Sequence, residues 1–346
     1  MTFSSCDAYL IVSDANRLYF TGFESSFGVM VATKEKSFYL TDSRYIEVAN
    51  LHFAESGIEV VETTYAKVFD VVREILSGAN ATTVGFEDAF LSVADFEVYQ
   101  ATIGGTFVPV SKELVLLRAI KDADEIKAIA EAAQITDKAF SKLLPEIKVG
   151  MTEKQIMARL NYHMLMCGAD GMAFDTIVAS GPNSSKPHAV PSDRPIQSGD
   201  LLLFDFGAKK NGYCSDMTRT VAVGQISPEL KKLYKQVKTA QELALKAYES
   251  GITGHQGDAI AREFFTANGV GELFVHSLGH GVGVEIHETP RLAKGVTDVL
   301  EENMVVTCEP GLYIPNVGGI RIEDTVVIKK GGIVNLTGSK KDFIKL

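Results

Sequence analysis

At three places in the second half of this chain, acids stand where apolar residues belong. In residues 201–216, LLLFDFGAKKNGYCSD, the run Leu201-Leu202-Leu203-Phe204 predicts a buried strand that Asp205 interrupts near its end. Asn211-Gly212 signals a reversal, so residues 213–223 should return as the second strand of a β-hairpin and carry Asp216. A two-residue loop would make Asp205 and Asp216 diagonal neighbours, and a four-residue loop would set them directly opposite. Both registers place them on one face, because side chains alternate with period two. Residues 305–311, VVTCEPG, put Glu309 at the end of an apolar strand, and residues 320–328, IRIEDTVVI, put Glu323 inside another. Like charges held this close on a half-buried sheet repel unless a cation lies between them or one is protonated.

Six of the seven histidines lie beyond residue 118, and four of these fall in two short segments. Residues 174–188 read as a strand, a Gly-Pro-Asn turn and then His188; residues 276–291, HSLGHGVGVEIHETPR, carry His276, His280 and His287. If Asp205, Asp216, Glu309 and Glu323 converge with His280, two divalent cations would balance the four negative charges. Carboxylate-rich ligation with one imidazole suits Mn²⁺ or Co²⁺, and also Zn²⁺ or Fe²⁺, but not a metal that prefers thiolates. Two such ions about 3.5–4 Å apart activate water at neutral pH and polarise a carbonyl oxygen, which is chemistry for amide hydrolysis.

Taken singly, each acid also reads as a salt-bridged or edge-strand carboxylate, and each histidine as a satisfied core residue. Two other site readings fail on spacing. His276 and His280 are four apart, but Ser277 occupies the glutamate position of an HExxH helix and Gly279 disfavours that helix. Residues 279–283, GHGVG, lack the third glycine of a dinucleotide loop. The cysteines Cys6, Cys167, Cys214 and Cys308 are scattered without CxxC, which fits reduced thiols and excludes a cysteine zinc cage.

These residues need a scaffold. A chain of 346 residues suggests about two domains. A formal charge of -10 argues against nucleic acid or an anionic membrane as the main partner. The start MTFSSCDAYL lacks a basic region followed by an apolar one, and no apolar run approaches the roughly 20 residues of a membrane span, so a cytoplasmic location is expected. Residues 28–32 and 37–40 predict a strand hairpin; 66–76 and 93–102 predict helices, with a strand at 84–87 between them. The first domain is placed at 1–118 and the second at 119–346. The second should open with a long helix over 123–144 and another over 153–166, the latter announced by the capping pair Thr152 and Gln155. Further helices are predicted over 228–249 and 256–267, separated from the earlier pair by short strands and glycine-rich turns.

The segments LLLFDFGAKKNGYCSDMTRT, HSLGHGVGVEIHE, CEPGLY and RIEDTV, in this order, resemble those of the pita-bread metallopeptidases: methionine aminopeptidase, aminopeptidase P, prolidase and creatinase. YFTGFESS and YLTDSRY in the first domain are similar to the creatinase-type N-terminal domain, which methionine aminopeptidases lack. The resemblance implies a two-domain α/β (α+β) protein, a creatinase-type N-terminal α/β domain followed by a pita-bread catalytic domain. It implies that Asp205 chelates one metal ion, that Asp216 and Glu323 bridge two, and that His280 and Glu309 complete the other's shell. Glu309 would also move a proton, and His188, His276 and His287 would be substrate-site histidines that stabilise the oxyanion. Arg291, or Arg321, would bind the carboxylate of an Xaa-Pro dipeptide.

The expected activity is that of an Xaa-Pro dipeptidase on short proline-containing peptides, in a homodimer. Three alternatives stand beside it: an Xaa-Pro aminopeptidase on longer peptides, an inactive pita-bread binding protein, and a metal-free creatinase-like C–N hydrolase.

Overall fold

The computed structural model describes residues 5–346. The chain divides into two compact units, Met1–Arg118 and Ala119–Leu346.

The first unit is one mixed sheet with helices on both faces. Its strands are β1 (Ala8–Ile11), β2 (Val29–Thr33), β3 (Ser37–Thr41), β4 (Ile58–Glu62), β5 (Thr83–Phe86) and β6 (Thr106–Pro109), ordered β4-β3-β2-β1-β5-β6. Its helices are α1 (Asp14–Thr21), α2 (Ile46–Phe53), α3 (Val68–Gly78), α4 (Val93–Ile103) and α5 (Ser111–Ala119). Alternation explains the two faces. Ala8 and Leu10 pack with Val68, Val72, Leu76 and Tyr99 of α3 and α4, whereas Tyr9 and Ile11 pack with Ala49 and Phe53 of α2 and Leu114 of α5. The expected β2–β3 hairpin forms, with Ala32 opposite Ser37. Helix α5 went unpredicted; its sequence, SKELVLLRA, has mixed charge and no turn residue, and it buries Leu114.

The second unit begins with α6 (Ala123–Leu143) and α7 (Glu153–Met166). Reciprocal capping boxes open both, Asp122 with Glu125 and Thr152 with Gln155. The strands β7 (Gly171–Met172), β8 (Ile177–Ser180), β9 (Leu201–Phe206), β10 (Ala208–Lys210), β11 (Tyr213–Cys214) and β12 (Met217–Ala222) follow. Then come α8 (Pro228–Ala247), α9 (Gly254–Ala267), β13 (Gly279–Gly281), β14 (Glu288–Leu292), β15 (Val305–Cys308), β16 (Gly311–Ile314), β17 (Gly318–Arg321), β18 (Asp324–Lys329) and β19 (Gly332–Asn335).

Four sheets are described in this unit, and two of them are each backed by a helix pair. The sheet β12-β9-β8 packs on α6 and α7 through Phe140, Leu143, Leu160, Met164, Phe204 and Phe206. The sheet β14-β13-β15-β18-β19 packs on α8 and α9 through Val237, Ala244, Phe265, Leu292, Val306 and Val326.

Register decides where the acids point. Lys210 pairs with Tyr213 across the two-residue turn Asn211-Gly212, and the same count carries through to Phe206 opposite Met217 and Asp205 opposite Thr218. Asp205 and Asp216 are therefore diagonal, the first of the two expected registers. Leu202, Phe204 and Phe206 face the α6–α7 core, which leaves Asp205 on the other side with Leu201 and Leu203. The return arm is not one continuous strand, because Ser215 and Asp216 lie in a break between β11 and β12.

The expectation for Glu323 also needs correcting. It does not lie inside a strand; Ile322 and Glu323 separate β17 from β18, where the chain leaves its partner β16 and joins β15. At that switch the Glu323 amide donates to the Thr218 carbonyl. The break ties the two sheets together at the acid itself.

Candidate metal centre and active site

The buried arm of β9–β12 and the strand ends of the second sheet converge on one set of side chains. Among the described residues, Asp216, His280 and Glu323 form a group whose ligand-type atoms all lie within 4.8 Å of one another. His280 Nε2 is 3.5 Å from Asp216 Oδ2 and 3.5 Å from Glu309 Oε1. Glu309 follows the last residue of β15, where its amide donates to the Leu278 carbonyl. Asp205 joins through Arg321, whose guanidinium Nη2 donates to Asp205 Oδ2 and whose Nε is 4.0 Å from Glu309 Oε2.

The donor set fits divalent cations on three observations. First, the His280 Nδ1 lies 3.0 Å from the Gly281 carbonyl, which can only accept, so Nδ1 carries the proton and the Nε2 lone pair faces two carboxylate oxygens. Lone pairs meeting there must share a cation or a carboxyl proton between them. Second, Asp216 Oδ1 and Glu323 Oε1 are buried without a hydrogen-bond partner, although each carboxylate's other oxygen is engaged or faces His280. Third, one guanidinium, Arg321, stands against four carboxylates.

Electrostatics agrees. Burial, then Glu323, Asp205 and Glu309, pushes the Asp216 carboxyl well above the usual range. Burial and then Glu323 raise Glu309, with Arg321 opposing, and burial and then Asp205 raise Glu323. His280 moves the opposite way, to about 4, chiefly because burial disfavours the imidazolium. At neutral pH without a cation, the centre would be a neutral imidazole among acids that resist ionising.

The other predicted residues surround this centre. His287 lies in the irregular stretch before β14, exposed, with its ring centroid 4.3 Å from that of His280. Desolvation lowers its pKa, Asp205 opposes, and His188 and Arg291 add to the lowering. His188 is exposed on the turn after the 3₁₀ helix Gly181–Ser185, and the Pro187 carbonyl beside it accepts from Arg321. Arg291 is exposed on β14, opposite His280 in the β13–β14 pairing.

His276 and Arg321 differ from these in being committed to protein partners. His276 Nδ1 donates to the Ser277 carbonyl, and its Nε2 accepts from the Tyr313 hydroxyl at 2.9 Å. Burial, then Arg321, lowers it to about 3. Arg321 donates to Asp205, Tyr313, Thr218 and Pro187 and is 3% exposed, so its fork is filled from within the chain.

Two members of this network were missing from the predicted set. Tyr313 links Arg321 to His276, and the Thr218 hydroxyl accepts from Arg321 while donating to Glu323. Their only sequence signal is position. Tyr313 stands four residues after Glu309, and Thr218 shares strand parity with Asp216.

The comparisons with known proteins come to the same place. The pattern of metallopeptidase family M24 matches residues 127–330, and that of the creatinase/prolidase N-terminal domain matches residues 1–120. The chain is 40% identical to the Xaa-Pro dipeptidase of Pyrococcus furiosus over 99% of its own length and 96% of that protein's. Its structure is similar to that of an Xaa-Pro dipeptidase from Bacillus anthracis, with a TM-score of 0.94, 40% identity, and 99% and 95% of the two chains covered. It is also similar to that of an X-Pro aminopeptidase from Thermotoga maritima, with a TM-score of 0.92, 38% identity, and 99% and 98% covered. The expected fold, a creatinase-type domain followed by a pita-bread domain, is the one these structures share with it. The chain belongs to metallopeptidase family M24.

Proposed function

We propose that this enzyme is an Xaa-Pro dipeptidase in which Asp205, Asp216, His280, Glu309 and Glu323 hold two divalent metal ions. The observation that carries the reading is the meeting of His280 with Asp216, Glu309 and Glu323, in a chain that resembles Xaa-Pro dipeptidases along its whole length. Bound there, divalent cations supply Lewis acidity toward a carbonyl oxygen and a water more acidic than bulk.

The chain's own residues do the rest. Glu309 keeps 16% of its side chain exposed at the end of β15, so it suits carrying a proton from the attacking water to the leaving nitrogen. His188 and His287, exposed beside the acids, present imidazole donors to the carbonyl oxygen as negative charge develops on it. His276 acts at one remove, through Tyr313 and Arg321. The amide before proline has no N–H, so recognition must use the ring and the free termini. Exposed Arg291 offers its guanidinium fork to the dipeptide carboxylate. We assign Mn²⁺ or Co²⁺ as the working ions, the cytoplasm as the compartment and a homodimer as the assembly. All four cysteines are free thiols, in keeping with that compartment.

The test is proline release from an Xaa-Pro dipeptide and from an Xaa-Pro-Xaa tripeptide, using chelated protein with and without Mn²⁺ or Co²⁺. Metal-dependent cleavage of the dipeptide alone is expected. The likeness to the Thermotoga maritima X-Pro aminopeptidase supports a second reading, and release of the N-terminal residue from the tripeptide would select it.

A further inference from the structure

Glu153 is the first residue of α7 and is fully buried, yet among the described residues no lysine or arginine nitrogen forms an ion pair with its carboxylate. Five donors satisfy it instead. Oε1 accepts from the Ser180 amide at 2.6 Å and the Ser180 hydroxyl at 2.8 Å. Oε2 accepts from Asn183 Nδ2 at 2.8 Å, the Ser192 amide at 2.8 Å and the Ser192 hydroxyl at 2.7 Å. One oxygen holds the start of the segment 180–192; the other holds its end and its first turn.

The backbone reinforces the clamp. The amides of Glu153 and Lys154 donate to the carbonyls of Arg194 and Ser192, so the free N–H groups of the helix start bind the same strand of chain. Arg194 Nη1 donates to the Ser180 hydroxyl and to Asp200, which brings positive charge to the clamp at second hand. Between the two ends run Pro182, Pro187 and Pro191, whose fixed φ stiffens the segment, and His188. Toward β17 the segment is held by Gly319 donating to Ser184 and by Arg321 donating to the Pro187 carbonyl.

We infer that Glu153 is the positioning residue for His188: its carboxylate sets the entry and exit of the Ser180–Ser192 segment and thereby the place of the imidazole at the site. The inference rests on the reading above in which His188 contacts substrate. Nothing else about the buried carboxylate requires five donors from one loop; a helix start alone is served by Thr152.

A double-mutant cycle on the metal-loaded, full-length enzyme tests it, with kcat/KM on an Xaa-Pro dipeptide as the readout. Glu153→Gln places an amide NH₂ against donors, and a shift of about 1 Å in His188 should cost roughly 10- to 100-fold. In the His188→Ala background the same change should cost less than about 3-fold, because residues acting through one another are non-additive. Glu153→Asp, which keeps the charge with a shorter reach, should recover part of the loss. If Glu153→Gln does not fold, Ser192→Ala and Asn183→Ala remove fewer donors and should show the same non-additivity at smaller size.

Equal factors in both backgrounds, or no loss from any of these variants beside an intact His188, would overturn the inference while leaving the role of His188 standing. Full activity of His188→Ala would remove the underlying reading, and the inference with it.

Discussion

Arg321 Nη2 lies 2.5 Å from Asp205 Oδ2, and this is the contact that brings a fixed positive charge into the carboxylate cluster. The strands that carry the two residues meet through Thr218 and Thr220, whose hydroxyls contact Arg321. Burial alone would weaken the hold of Arg321 on its proton, but Tyr313, Asp205, Glu309 and Glu323 outweigh it. The guanidinium stays charged.

Because four protein partners use that fork, a lysine cannot replace it. Arg321→Lys should lower kcat/KM on the dipeptide by about 10²-fold, mainly through kcat, by misplacing Asp205. Arg291→Ala, on the exposed face of β14, should raise KM for the dipeptide and leave kcat nearly unchanged. Steady-state kinetics on the dipeptide separates the two arginines, and an Arg291→Ala loss confined to kcat would remove it as the carboxylate reader.

Metal should stabilise the protein more as pH rises. Asp216, Glu309 and Glu323 have folded pKa values above their ordinary ones, so without metal the folded state binds more protons than the unfolded state. Stability of the chelated protein then falls as pH climbs through and above the ordinary carboxylate range. His280, lowered to about 4, opposes this up to its ordinary pKa of 6.5, where only the unfolded chain holds the proton, but in the folded state it is neutral across pH 5–8 and leaves the pH dependence of metal binding to the carboxylates. The Tm gain on adding Mn²⁺ to chelated protein should therefore grow from pH 5 to pH 8. A gain that is flat or shrinks over that range would contradict the carboxylate cluster as the binding site.

The ion pair of Lys121 and Glu288, 2.9 Å apart with side chains 1% and 2% exposed, sits under the loop that carries His287. Glu288 Oε1 also accepts from the Glu285 amide. Lys121→Met breaks a buried ion pair and should destabilise the protein, by up to about 3–5 kcal/mol. Lys121→Met with Glu288→Gln should recover much of that, as measured by denaturant midpoints.

Gly207 lies at the break in the hairpin, where an added Cβ would stand 1.8 Å from the Ser215 carbonyl oxygen. Gly207→Ala must push Ser215 and Asp216 aside. We expect a loss of about 1–3 kcal/mol or more, together with weaker metal binding by titration.

Much of this was legible locally. The run 201–206 contains its own alternation, and Asn211-Gly212 marks the reversal, so a shared face for Asp205 and Asp216 follows from counting, while the choice of the diagonal over the direct pairing came from the strand register. Thr152 and Gln155 announce α7, which spans Glu153–Met166 as expected. What stayed hidden depends on distant chain. The switch at Ile322-Glu323 exists because β17 and β18 have different partners, and nothing in RIEDTV names those partners. Tyr313 and Glu153 look like ordinary strand and helix residues until the loops that they hold are in place. Arg321 was open to reading as a substrate group because sequence shows its charge and not the partners that fill its fork.

The Thr218–Glu323 contact spans 105 positions of sequence. A ribosome delivers Asp205 and Asp216 well before His280, Glu309, Arg321 and Glu323, so the growing chain for a time holds two acids of a hairpin with nothing to neutralise them. That half-built centre has neither the imidazole nor the guanidinium, and it cannot cut its neighbours. Activity is thereby withheld until the last strands have been added.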